Sequence, residues 1–139
     1  MSKKSTKLLD VIVIGAGASG MMAAITAARR GKSVAILERM NKPGKKILAT
    51  GNGKCNFTNN NMDTSRFHGN IQLIQSVLDR FSKEDTLSFF HEIGIWPKEK
   101  NGYYYPNSGQ AASVVEAFNH ELNRLHVPVY LEQEVLDLF

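Results

Sequence analysis

Three glycines, one acid and a lysine-bearing loop hold most of the chemistry that this sequence offers. Gly15, Gly17 and Gly20 form a G-x-G-x-x-G turn directly after the apolar run Val11-Ile12-Val13-Ile14. Gly15 lets the chain turn sharply from strand to helix. Gly17 lets the backbone approach a pyrophosphate, and Gly20 lets helix and strand pack closely. The helix that opens here directs free N–H groups and its positive dipole end at phosphates. Glu38 follows Gly15 by 23 positions, close to the roughly 20 expected of the acid that binds a ribose hydroxyl. A carboxylate there accepts from a hydroxyl and repels a 2′-phosphate, so the adenosine half is that of FAD or NAD and not NADP. On this reading Glu38→Ala weakens the cofactor and leaves the fold intact.

A second loop, Lys42 to Asn59, narrows the choice. It offers glycines at 44, 51 and 53, lysines at 42, 45, 46 and 54, and the polar run Cys55, Asn56, Thr58 and Asn59. Such a loop can wrap a phosphate chain and hydrogen-bond a polar ring edge. A plain NAD dehydrogenase has no need of it directly after the second strand. An FAD enzyme does, because the extended flavin is held along its ribityl and ring portions.

These residues need an α/β frame. A strand over about 9–14, a helix over about 18–30 and a strand over about 33–38 give the dinucleotide-binding βαβ order. Residues 39–61 read as a long ordered loop with one helical turn near Lys46. Apolar spacing predicts a helix over 70–81, and Ser82 with Asp85 forms a capping pair for another that stops at Gly94. Trp96 to Pro106 reads as an aromatic loop or short hairpin, Ser108 to Leu125 as a helix with Ser108 as its cap, and 127–131 as a strand. The fold class is therefore α/β, a Rossmann-like parallel sheet with a helical insertion. Residues 1–8 are expected to be a mobile tail and 9–139 the N-terminal part of one FAD/NAD(P)-binding domain. The alternating segment Glu134 to Phe139 reads as the start of a β-meander, so the domain is expected to be incomplete and its site half-built.

Composition limits the other possibilities. At 139 residues, 42% hydrophobic and 22% charged, the chain is an ordinary globular one. No apolar run reaches the ~20 residues that span a bilayer, and the basic start does not lead into a signal peptide. The single cysteine, Cys55, excludes an internal disulfide framework and fits a reducing cytoplasm. Cys55 reads as a loop-packing or flavin-contact residue, since it lacks a C-x-x-C partner. His68, His91, His120 and His126 show no ligand spacing, so no metal site is expected. The net charge of +4 permits an anionic partner such as RNA without arguing for one. Lys3, Lys4 and Lys7 read as a solvated tail. Tyr103, Tyr104 and Tyr105 could stack on a nucleobase, but are read as cover for the core beside the flavin edge.

Pro43-Gly44-Lys45-Lys46, Thr50-Gly51-Asn52-Gly53-Lys54-Cys55-Asn56 and Thr58-Asn59, with the later Gly102-Tyr103-Tyr104-Tyr105-Pro106-Asn107-Ser108-Gly109-Gln110-Ala111, resemble the N-terminal part of the BaiN/RdsA-type (YhiN-like) NAD(P)/FAD-dependent oxidoreductases. Asn52 stands where that family often has glycine, and Lys54 where it often has arginine. The resemblance implies a two-dinucleotide-binding-domain flavoprotein fold with FAD extended across the sheet edge, and NAD(P)H as reductant. It implies that Gly15, Ala16, Gly17, Ala18, Ser19 and Gly20 hold the pyrophosphate, Glu38 the ribose, and Arg39 the adenine flank. Lys45 and Lys46 then face phosphate or ribityl oxygens, Gly51, Gly53, Cys55, Asn56 and Thr58 lie toward the flavin, and Val135 meets the adenine through its backbone. The implied reaction is reduction of an activated carbon–carbon double bond, with a small molecule or an RNA base as substrate; catalytic residues are expected beyond Phe139, and oligomeric state is open. The rivals are an NAD-binding dehydrogenase fragment and a non-catalytic RNA-associating module.

Overall fold

A computed structural model of the chain describes residues 8–138. The expected tail thus lies outside the described residues apart from Leu8, as does Phe139. The chain forms two compact units. One comprises residues up to Lys45 with those from Phe118 onward, and the other runs from Lys46 to Ala117.

The first unit is built on a parallel sheet of β1 (Val11–Ile14), β2 (Val34–Leu37) and β6 (Val129–Tyr130), in the order β1-β2-β6. Val11 pairs with Val34, Ile14 with Leu37, and Ile36 with Val129. β2 is the middle strand, and its Val34, Ala35 and Ile36 are all buried, as a strand covered on both faces requires. β1 lies at an edge and alternates instead. Ile12 and Ile14 remain 58% and 55% exposed. Helix α1 (Ala18–Arg29) buries Met21, Ala24 and Ile25, the i, i+3, i+4 stripe of a helix on a sheet. Each large side chain so buried contributes about 1.5–3 kcal/mol.

Helix α5 spans Ala111–Arg124. Glu121 near its end is buried. Its carboxylate accepts from Arg29 Nε at 2.9 Å, Arg124 Nε at 2.7 Å and Arg124 Nη2 at 2.8 Å. These bonds, Arg124's first and then Arg29's, hold the Glu121 carboxyl below the usual carboxylate range against the opposing effect of burial. A buried carboxylate persists only when paired in this way.

The second unit holds an antiparallel sheet of β3 (Thr58–Asn59), β5 (Tyr103–Pro106) and β4 (Pro97–Lys100), in the order β3-β5-β4. β4 and β5 form a hairpin around Asn101 and Gly102, both at positive φ (54° and 84°). That is the geometry of a type I′ turn, for which Asn-Gly is the strongest sequence signal. The unit's helices are α2 (Lys45–Ala49), α3 (Ile71–Leu78) and α4 (Lys83–Glu92). The expected Ser82–Asp85 capping box starts α4, with both reciprocal bonds formed. Phe57 and Phe90 rings lie 4.2 Å apart in the core of this unit. α3 has its apolar stripe where expected, capped by Asn70, but buries no residue among those described.

Two expectations are corrected. Glu134 to Leu138 form no strand, because alternation supplies a face but not a neighbour, and no described segment pairs with them. Ser108 does not cap α5, whose first residue is Ala111. Its Oγ accepts from Gln110 N–H at 3.2 Å and pairs with Ser113 Oγ at 2.7 Å.

Candidate functional site

The glycine turn has the backbone its sequence demands. Gly15 has φ +97°, a region open to glycine and costly for other residues. A Cβ on Gly20 would lie 1.9 Å from Gly15 O and 3.3 Å from Val13 Cγ1, so close packing of helix on strand forces glycine there. Gly17 differs. A Cβ there would meet nothing within 4 Å, so no packing inside the chain requires glycine, and the space beside it is open. Gly17 is the N-cap of α1, with no side-chain cap and no acid in the first turn. Ala18 and Ser19 are exposed at this end of the helix. An uncapped N-terminus of a 12-residue helix beside open space is suited to an anion.

Glu38 stands just after β2 and does more than the sequence suggests. Its Oε2 accepts from Ala16 N–H at 2.6 Å, and its Oε1 accepts from Met40 N–H at 2.8 Å. Ala16, buried in the turn, also accepts from Gly44 N–H at 2.8 Å. The acid and the Pro43-Gly44 bend therefore fix the turn from both sides. A carboxylate has about four acceptor sites, so Glu38 keeps capacity for a diol. The neighbouring segment is equally fixed: Glu38 N–H donates to Tyr130 O at 2.9 Å, Gln133 N–H to Glu38 O at 2.9 Å, and Glu132 N–H to Met40 O at 3.2 Å. These bonds bring the stretch leading to Val135, itself half-buried, beside residues 38–40. Arg39 and Lys45 are exposed. Gly44 is a member of this group that the sequence reading did not assign; the Pro-Gly dipeptide was its signal.

In the second unit, α2 anchors its loop through buried Ile47, with Lys46 exposed. A 3₁₀ turn over Thr50–Gly53 follows. Gly51, Asn52, Gly53 and Cys55 all have positive φ, at 55°, 54°, 80° and 56°. A Cβ on Gly51 would lie 2.8 Å from Asn56 N, so this glycine is required twice over. Asn52 occupies a left-handed position where asparagine is among the best tolerated alternatives to glycine. Thr50 Oγ1 donates to Ile47 O at 2.6 Å, and Cys55 N–H donates to Thr50 O at 3.0 Å. Burial pushes the Cys55 thiol up, against a smaller lowering by Thr50. It is a packing thiol rather than a ready thiolate. Thr58 is buried, while Asn56 and Gly53 are exposed. The loop closes on itself, with Lys54 N–H donating to Gly51 O at 3.2 Å.

The group of residues fits an adenine dinucleotide, on three observations: the open space at Gly17, the uncapped start of α1, and the spare acceptor capacity of Glu38. None of the described tyrosines is buried: Tyr104 and Tyr105 are half-buried, and Tyr103 is 48% exposed. Among the described residues no cluster of three or more His, Cys, Asp or Glu side chains is placed to share a metal ion. No helix among them is long and apolar enough to cross a membrane.

Comparison with known proteins bears on the family and the fold. The family described as HI0933-like protein Rossmann domain matches residues 9–139. The chain is 50% identical over 121 residues to the 3-dehydro-bile acid delta(4,6)-reductase of Clostridium scindens, covering 85% of this chain and 30% of that protein. It is 33% identical over 131 residues to the ribosomal RNA dihydrouridine synthase of Escherichia coli, covering 93% of this chain and 32% of that protein. It thus spans about a third of the length of these curated relatives. Among solved structures, the 3-ketosteroid-delta4-(5alpha)-dehydrogenase of Rhodococcus jostii RHA1 superposes with a TM-score of 0.72 at 15% identity, over 97% of this chain and 40% of that one. The fold is the Rossmann-like FAD-binding fold, and the chain belongs to the HI0933-like Rossmann domain family.

Proposed function

We propose that the chain is the FAD-holding portion of a flavin-dependent oxidoreductase that draws on NAD(P)H and reduces an activated carbon–carbon double bond. The observation that carries the cofactor half is the turn at Gly15–Gly20, fixed by Glu38 and open beside Gly17. The reaction half is supported by the 50% identity to a delta(4,6)-reductase. FAD, when bound, supplies the ring that passes hydride to a polarised alkene. The residues of this chain bind and orient it. Gly15 to Gly20 and the start of α1 hold the pyrophosphate, Glu38 the ribose, and Arg39 and the Val135 backbone the adenine. Lys45 and Lys46 neutralise phosphate or ribityl oxygens. Gly51, Gly53 and Asn56 lie toward the flavin, on a loop that the buried Cys55 and Thr58 pack from within. An RNA base is a second substrate class, favoured by the 33% identity to a ribosomal RNA dihydrouridine synthase. The single buried thiol fits a reducing cytoplasm.

The experiment is titration of the purified full chain with FAD and, separately, NAD, followed by flavin fluorescence and calorimetry. FAD is expected to bind and NAD to bind at least tenfold more weakly. A colourless chain that takes up no added FAD overturns the reading, and preference for NAD favours the dehydrogenase rival.

A further inference from the structure

The β4–β5 hairpin sorts its side chains by charge. Lys98 stands opposite Tyr105 and Lys100 opposite Tyr103, while Glu99 stands opposite Tyr104. Successive residues of a strand point to opposite faces, and directly paired residues share one. Lys98, Lys100, Tyr103 and Tyr105 therefore lie together on one face. The other face is internally satisfied: Glu99 accepts from Gly102 N–H, and Tyr104 Oη donates to Asn60 Oδ1 at 3.0 Å. The lysine–tyrosine face lines a cavity of about 540 Å³, to which Lys54 adds a third ammonium. A second concavity of about 240 Å³ adjoins it, shares Asn101 and Tyr103, and brings Arg66. No carboxylate lines either one. Among the described residues none of the three lysines is in an ion pair.

We propose that this face binds a nucleotide, its phosphate among Lys54, Lys98 and Lys100 and its base against the exposed ring of Tyr103. Three unpaired ammoniums without an acid select a multiply charged anion. An exposed ring at the same wall selects an anion that carries a flat group, since base–aromatic stacking suits any base. Lys98 and Lys100 lie on one strand face about 7 Å apart along the chain, which suits neighbouring phosphates of an extended strand. The adjoining concavity with Arg66 continues the track. The nucleotide's source is either a free nucleotide or a single-stranded nucleic acid. Lys54 also belongs to the loop read as holding the flavin, whereas Lys98 and Lys100 have no part in the cofactor reading, so the test is placed on the hairpin and its failure is distinguishable from failure of FAD binding.

The test measures fluorescence anisotropy of a labelled 12-nucleotide uridylate strand with the full chain, across a salt series, with AMP and inorganic phosphate as competitors. K98Q/K100Q is expected to weaken binding about tenfold and to flatten the log–log salt slope by about 1.4. Y103A is expected to weaken it about fivefold or more. K83Q, whose lysine pairs with Glu84 at 3.2 Å, is expected to stay within twofold of the parent. Displacement by AMP identifies a free nucleotide as the source. Resistance to AMP, with binding still dependent on Lys98, Lys100 and Tyr103, identifies the strand. The proposal is overturned if no probe binds, if K83Q and K98Q/K100Q lose affinity equally, or if inorganic phosphate competes as well as AMP and Y103A changes nothing.

Discussion

Glu38 Oε2 accepts the Ala16 N–H at 2.6 Å, so the acid at the end of β2 is bonded to the very turn whose ligand it is expected to share. Ala16 is buried, and removing the acceptor strands a buried donor, at a cost of about 1–3 kcal/mol. Glu38→Ala is therefore expected to lower both FAD affinity and stability, in contrast to a pure ligand contact. Glu38→Gln keeps an acceptor oxygen and is expected to recover about half of the stability but little of the affinity. Urea unfolding beside FAD titration separates the two, and an unchanged midpoint for Glu38→Ala would remove the structural role.

Gly20 and Gly17 are predicted to answer differently to the same substitution. A Cβ on Gly20 collides with Gly15 O at 1.9 Å, and relief requires moving backbone, so Gly20→Ala is expected to cost about 3 kcal/mol. Gly17 has ordinary φ and open space. Gly17→Ala is expected to change stability by no more than about 1 kcal/mol while reducing FAD affinity at least tenfold. Thermal unfolding with and without FAD reads both. Equal destabilisation by the two variants would show that the space at Gly17 is not kept for a ligand.

The distinction between these two glycines marks how far the sequence could be read. Its first βαβ unit was legible because strand, turn, helix and acid are adjacent and each carries its own signal. The Ser82–Asp85 box and the helix stop at Gly94 were legible for the same reason. What escaped was non-local. Nothing near Glu38 announces that its carboxylate reaches Ala16, and nothing near Thr58 announces pairing with Tyr104. Positive φ at Cys55 contradicts residue preference and arises only from the loop around it. Alternation at Glu134 to Leu138 looked like a strand because side-chain pattern is local, whereas a strand exists only with a partner. The hairpin was half-seen: its tyrosines stood out, but the Asn101-Gly102 turn sets the register that puts Lys98 and Lys100 on the face of Tyr103 and Tyr105.

Glu121 gives a pH prediction with a definite sign. Hydrogen bonds from Arg124 and Arg29 depress its folded value, so the stability it contributes is fully present above the ordinary glutamate value of about 4.3. That stability is lost as pH falls through the lower, folded value. Glu121→Gln is expected to cost about 1–3 kcal/mol at pH 7 and to make stability less steep in pH below about 5. Asp10, Asp63 and Asp85 are lowered too, so the informative quantity is the difference between parent and variant. If that difference is the same at pH 3.5 and pH 7, the folded protein does not hold the Glu121 carboxyl below its unfolded value.

Cys55 provides a last contrast between a packing thiol and a redox one. A reactive cysteine sits in an electropositive, accessible place that lowers its thiol. Cys55 is buried, and burial raises it. Its N–H is tied to Thr50 O at 3.0 Å, which fixes the backbone of the loop at this residue. Alkylation by iodoacetamide at pH 7.5 is therefore expected to be on the order of tenfold slower in the native chain than in 6–8 M urea, roughly the range that unfolds small domains, and to quicken as pH rises. Cys55→Ala is expected to retain FAD binding within about threefold, because a packing thiol leaves only a small void. A native alkylation rate equal to that in urea would mean that the loop opens freely, and a large loss of FAD affinity in Cys55→Ala would place the sulfur against the flavin.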